Sequence, residues 1–202
     1  MTGETQALLS ELNGVLRTVS RTRHLEMLRE ITDLFLSNAE NYTPEQRAIF
    51  DAVIKRLAQN ISSRDLIELS KRLATLDGAP ADTVAQLSVS DDIAVSGPIL
   101  EKSTVLQDSH LVGIAKTKGQ GHLMAIANRQ HINAIVTDVL VERGDNAVKH
   151  KVLANEGAEI SEFGFACLIS AASKDKKLAE VVSKREDIPA ELQSFLEVAL
   201  AS

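Results

Sequence analysis

The chain repeats itself, and that constrains its fold more than any single motif does. Asp92–Thr104, "DIAVSGPILEKST", aligns with Asp145–Gly157, "DNAVKHKVLANEG", bringing Val95 onto Val148 and Leu100 onto Leu153 at an offset of 53. "IANRQHINAIVTDVL" then aligns with "VSKREDIPAELQSFL", placing Arg129 on Arg185, Ile132 on Ile188 and Leu140 on Leu196 at an offset of 56. The three extra residues read as a loop insertion. A partial third copy, "GAPADTVAQL", sets Pro80 on Asn133 and Leu87 on Leu140, again 53 apart. A unit of this size cannot cover its own apolar face, so copies must stack on their neighbours as a curved α-solenoid with a concave side. Each period predicts about three short helices, a hairpin plus a linking helix. Pro98 falls inside the first of them, which predicts a bend near Gly97.

Composition supports helix-on-helix packing. Hydrophobic residues make up 44% of the 202, but aromatics only 3%, and tryptophan is absent. The apolar mass is therefore Leu, Ala, Ile and Val, and we expect an all-α fold.

Before the repeats, apolar residues recur at three- and four-residue steps in four stretches. Leu8, Leu9, Leu12, Val15, Leu16 and Val19 form one stripe, and Leu25, Leu28, Ile31, Leu34 and Phe35 a second. In "TPEQ", Thr43 can cap a helix, Pro44 suits its first position and Gln46 completes a capping box; Ile49, Phe50, Val53, Ile54 and Leu57 form its inner face. A fourth helix, capped by Ser62 or Ser63, turns Leu66, Leu69 and Leu73 inward. The pattern shortens after Gly78, dividing the chain into an amino-terminal bundle or set of hairpins at 1–78 and repeats at 79–202, about two and a half units.

Several segments together resemble the bacterial domain of unknown function 2336 family: "DLFLSNAENYTPEQRAIFDAVIKRLA", "LSKRLATLDGAP", "PILEKSTVLQDSHLVGIAK", "AIANRQHINAIVTDVLVERGDNAVKHKVLANEGAEIS" and "SKREDIPAEL". The resemblance covers the chain from about Arg21 onward and is carried by the long pattern. It implies a HEAT-like or related helical-repeat protein, and it brings no catalytic residues with it.

The chemistry-bearing residues argue against an enzyme. His24, His110, His122, His131 and His150 include no pair at helical zinc-site spacing, and the single cysteine, Cys167, has no partner for a disulfide or a zinc site. Cys167 lies in the apolar run "FGFACLISAA", where a thiol packs as a small hydrophobe, and no nucleophile, base and orienting acid stand in a triad-like pattern. We expect no metal, no cofactor and no catalytic residue. "KTKGQGHL" lacks the order of a phosphate loop and reads as an inter-helix turn, and "SKDKK" reads as a solvated loop.

Arg129 and Arg185 share one repeat position. They could form a ladder for acidic groups, but a residue recurring once per repeat more often ties adjacent helices by satisfying carbonyls at helix ends. Asp92 and Asp145 read as N-caps. Asp138 and Glu142, four apart on one helix face, raise the local negative potential, with Arg143 beside them. Residues 81–202 hold 12 Lys+Arg against 17 Asp+Glu, a poor field for a phosphate backbone, although Lys116, Lys118, Lys149, Lys151, Lys174, Lys176 and Lys177 could share a face.

The function expected is that of a non-enzymatic protein–protein interaction module or scaffold, of the kind used in bacterial signalling or regulation. Its surface residues would be Arg129, Asp138, Glu142, Arg143 and Arg185, its partner an unidentified protein, with a homodimer through the amino-terminal helices as a further option. The alternatives are nucleic-acid binding in a HEAT-like groove, which the charge disfavours, and small-ligand sensing. No basic leader and no run of about eighteen apolar residues is present, so a cytoplasmic location with no membrane contact is expected.

Overall fold

The computed structural model describes Gly14 and residues 20–201, and every regular element among them is helical. The first predicted stripe, from Leu8 to Val19, lies outside the described residues. Helices α1 (Arg21–Asn38), α2 (Pro44–Ala58), α3 (Ser63–Ala74) and α4 (Ala81–Ser88) are followed by α5 (Ile93–Lys102), α6 (Asp108–Thr117), α7 (Gln120–Ala127) and α8 (Ala134–Arg143). Then come α9 (Asn146–Leu153), α10 (Glu162–Ala172), α11 (Lys176–Val182) and α12 (Gln193–Ala201). Two compact units are present. Among the described residues, one comprises those up to Ile99 with Ser103–Leu106, the other Leu100–Lys102 with those from Gln107 onward.

In the first unit α1 packs on α2, α2 on α4 and α3 on α4. The capping box forms as the sequence predicts: Thr43 Oγ1 accepts from Gln46 N at 3.3 Å, and Gln46 Oε1 accepts from Thr43 N at 2.9 Å. Ser62, rather than Ser63, caps α3. Two residues of the predicted stripes face outward. Leu34 is 56% exposed, because the inward line of α1 runs Leu28–Thr32–Phe35, and Ile49 of α2 is 38% exposed. Phe35, Tyr42 and Phe50 form an aromatic cluster with ring centroids 4.7 to 5.9 Å apart. Because Pro80 cannot cap α4 with a side chain, Asp51 of α2 does so, accepting from Asp82 N at 2.7 Å and Thr83 N at 2.8 Å. A carboxylate there also meets the positive end of the helix. Gly78, where the sequence pattern changes, has φ 73°, a left-handed turn that glycine adopts freely.

In the second unit the even-numbered helices pack in succession, α6 on α8, α8 on α10 and α10 on α12, while α7 packs on α9 and α9 on α11. Leu123, Ile126, Val136, Leu140, Val148, Val152, Phe165, Leu168 and Leu178 are fully buried in it.

The period contains four helices, not three: Asp92 to Gly144 spans α5, α6, α7 and α8. The boundaries are hard to see in the sequence because the linkers shrink to Lys118–Gly119 and Gly144–Asp145, so neighbouring apolar stripes run together. Helix α5 continues through Pro98, which withholds one donor from the Ala94 carbonyl. Of "SKDKK", Ser173, Lys174 and Asp175 lie in the link, Asp175 capping α11, which Lys176 and Lys177 open.

Candidate functional site

The side chains that join one helix to another decide which groups remain for a surface. Each helix leaves its last four carbonyls without partners of its own. Arg129 Nη1 donates to the Leu100 carbonyl in the last turn of α5 at 2.7 Å. Arg185 donates to the Asn155 and Ala158 carbonyls at 3.2 and 3.1 Å, and grips Asp187 through Nε at 2.8 Å and Nη2 at 2.5 Å. Arg143 donates to the Ala115 carbonyl in the last turn of α6, and to that of Lys118 at 3.3 Å. The three arginines thus sit at three different inter-helix junctions. Burial pulls the Arg129 guanidinium below its ordinary pKa, opposed by Asp108, and the hydrogen bonds from Arg185 hold the Asp187 carboxyl below the usual carboxylate range.

Asn155 and Gly157 strengthen the same junction, and sequence reasoning missed both. Asn155 Nδ2 donates to the carbonyls of Ala127 at 3.1 Å and Arg129 at 2.7 Å. Beside it, Ile132 N donates to the Gly157 carbonyl at 3.0 Å and Glu159 N to the Ile132 carbonyl at 2.9 Å, an isolated parallel bridge between two loops. The residues Asn128–His131, Lys151 and Ala154–Gly157 line a groove of about 580 Å³ here.

Asp138 and Glu142 stand apart from the arginines. They share the outward face of α8 with Ile135, which is 62% exposed. Asp138 Oδ1 accepts from Ser161 Oγ at 2.6 Å, and Ser161 Oγ in turn accepts from Gly164 N at 3.0 Å, capping α10. Asp138 is therefore partly a support for that cap. Glu142 is exposed and forms no hydrogen bond or ion pair with the described residues. Across from them, α10 turns Phe163, Ala166 and Ser170 outward with Cys167 half-buried; Phe163 is 52% exposed. Burial, then the charges of Glu142 and Asp138, push the Cys167 thiol up, which disfavours the thiolate that a nucleophile needs. Phe163 was hidden in the sequence by the apolar run around it.

Asp92 and Asp145 cap α5 and α9 as predicted, accepting from Ala94 N and Val148 N, each at 3.0 Å. His24 and His122 are buried, and His110 and His131 are exposed. Among the described residues no three His, Cys, Asp or Glu side chains are placed to share a metal ion, and no helix is long and apolar enough to cross a membrane. In the first unit, a cleft of about 460 Å³ between α1 and α3 has Leu25, Leu28 and Leu69 on its walls and the ion pair Arg72–Asp33 across it.

No curated protein and no solved structure matches the chain. A bacterial family does, over residues 95–198, from within α5 to within α12; the match leaves out "DLFLSNAENYTPEQRAIFDAVIKRLA" and nearly all of the first unit. The chain belongs to the family described as "Uncharacterised protein conserved in bacteria (DUF2336)".

Proposed function

We propose that the chain is a non-enzymatic protein–protein interaction module or scaffold of the bacterial cytoplasm, and that its second unit is a HEAT-like stack of helical hairpins. The successive packing of alternate helices supports the stack. One observation carries the interaction reading. Every large apolar side chain found exposed in the second unit belongs to an even-numbered helix: Ile135 on α8, Phe163 on α10, and Phe195 and Val198 on α12. Apolar groups gathered on one side of a structure mark a surface that another molecule covers. Asp138 and Glu142 are the polar members of this surface. Arg129, Arg143 and Arg185, engaged with carbonyls, would act by holding the helices that present it. The amino-terminal helices serve as a docking or dimerisation element.

Affinity capture from native bacterial lysate with tagged full-length chain, at low and moderate salt, tests the reading. A stoichiometric protein that is retained by the wild type and lost with Phe163→Ser is the expected result. Capture of nothing, or of nucleic acid alone, removes the interaction reading. The second outcome would favour nucleic-acid binding, for which the support is the charge of the odd-numbered helices: α7, α9 and α11 carry four lysines, Lys149, Lys151, Lys176 and Lys177, against Glu180.

A further inference from the structure

The two sets of helices in the second unit differ in charge as well as in apolar exposure. The even-numbered helices carry two cations, Lys116 and Arg143, against five acids, Asp108, Asp138, Glu142, Glu162 and Glu197. Helices α7, α9 and α11 have the opposite balance, with four lysines against Glu180. Of the two cations on the even side, Arg143 is turned onto the carbonyls of Ala115 and Lys118. The exposed apolar groups therefore sit among more acids than bases, with Lys149 of α9 the cation that opposes Glu142 and Asp138 at Cys167.

On α8 the outward residues Ile135, Asp138 and Glu142 fall at positions i, i+3 and i+7, a single helix face. On α10 Phe163, Ala166 and Ser170 have the same spacing. The two faces adjoin. Asp138 Oδ1 is 2.6 Å from Ser161 Oγ and lies 3.1 Å from where a Cβ on Gly164 would stand. Past Phe163, the α10 face offers only small side chains, so a second backbone can come close. Glu142 brings a carboxylate with no competing partner among the described residues.

We infer that the α8–α10 face seats a cationic amphipathic helix of another protein, with apolar side chains set against Ile135 and Phe163 and Lys or Arg side chains facing Glu142 and Asp138. This rests on the interaction reading above and names the chemistry of the partner. A helix suits the face because two adjacent helices with apolar anchors accept side chains at i, i+3, i+4 and i+7, whereas a strand would need an open sheet edge. Phosphate-bearing partners, nucleic acid or anionic lipid, meet repulsion from the same acids.

The probes are two labelled peptides of about 18 residues, roughly five helical turns, with Leu on one face and either Lys or Glu on the other. Binding to the full-length chain is read by fluorescence anisotropy at about 50 and about 300 mM salt, which changes the screening of exposed charges. The Lys peptide should bind, more weakly at high salt, and the Glu peptide at least about tenfold more weakly. Glu142→Lys and Phe163→Ser should each weaken the Lys peptide by about tenfold, while Glu180→Lys, the same charge change on α11, should alter it less than about twofold. Both altered side chains on the even face are exposed, so melting curves should stay close to wild type. Equal weakening by Glu180→Lys and Glu142→Lys overturns the inference, since net charge alone would then explain binding. Equal binding of both peptides, or of neither, also overturns it. A captured lysate protein that is lost with Phe163→Ser but retained with Glu142→Lys leaves the interaction reading intact and removes the cationic partner.

Discussion

Gly157→Ala should destabilise the second unit by far more than its one added methyl suggests. A Cβ at this position would overlap the carbonyl oxygen of Gln130, and would stand 3.0 Å from its carbonyl carbon and 3.2 Å from His131 Nδ1. The oxygen and carbon belong to backbone, so rotamer changes give no relief and the two loops must separate. Separation stretches the bonds from Ile132 N to the Gly157 carbonyl and from Glu159 N to the Ile132 carbonyl, now 3.0 and 2.9 Å. Two backbone hydrogen bonds contribute about 1 to 3 kcal/mol together. Overpacking strain adds about 1 to 3 kcal/mol. The reduced freedom of alanine in the unfolded chain offsets roughly 0.5 to 1 kcal/mol of this. The net loss is then about 1 to 5 kcal/mol. Urea unfolding followed by circular dichroism reads it, and because the chain has two compact units, hydrogen exchange at the Ile132 and Glu159 amides locates it. A loss below about 0.5 kcal/mol, with both amides as protected as in wild type, would refute the reasoning, because it would mean the loops part at no cost.

Arg129→Met keeps the apolar stem of the side chain but leaves the Leu100 carbonyl without its guanidinium donor, and urea unfolding should show a loss of about 1.5 to 3 kcal/mol; an unchanged midpoint would show that water replaces the bond fully. Asp187 has a depressed folded pKa, so its pairing with Arg185 stabilises the fold above the ordinary carboxylate range and is lost as pH falls through the depressed value. The stability difference between wild type and Asp187→Asn should therefore shrink between about pH 6 and about pH 2, and a constant difference across that range would show that the carboxylate charge contributes nothing.

The parts of the fold legible in the sequence are those fixed by a few neighbouring residues. Thr43, Pro44 and Gln46 announce a helix start because the capping box closes within one turn, and Asp92 and Asp145 cap for the same reason. Leu34 and Ile49 show where local reading fails. An apolar spacing identifies a helix face to within about one residue's rotation, 100°, and only the partner helix decides which neighbour is turned out. The capping of α4 by Asp51 was not visible at all, since the two residues it serves lie 31 and 32 positions away.

The same distinction bears on the 53-residue offset in the sequence. Bonds that cross between elements recur at about half that distance: Asn133 to Asp108 at 25 residues, Asn155 to Ala127 at 28, and Arg185 to Ala158 at 27. These bonds span about the length of two successive helices and their links. Arg129 reaches the Leu100 carbonyl within the last turn of α5, Arg185 reaches the Asn155 and Ala158 carbonyls just beyond the end of α9, and between them Arg143 reaches the last turn of α6 from the end of α8. A side chain tied to carbonyls in this way recurs for packing, and recurrence by itself does not point to a surface. Ile135, Phe163 and Glu142 recur at no repeat position; they are marked by exposure without a partner side chain, which only the folded chain reveals.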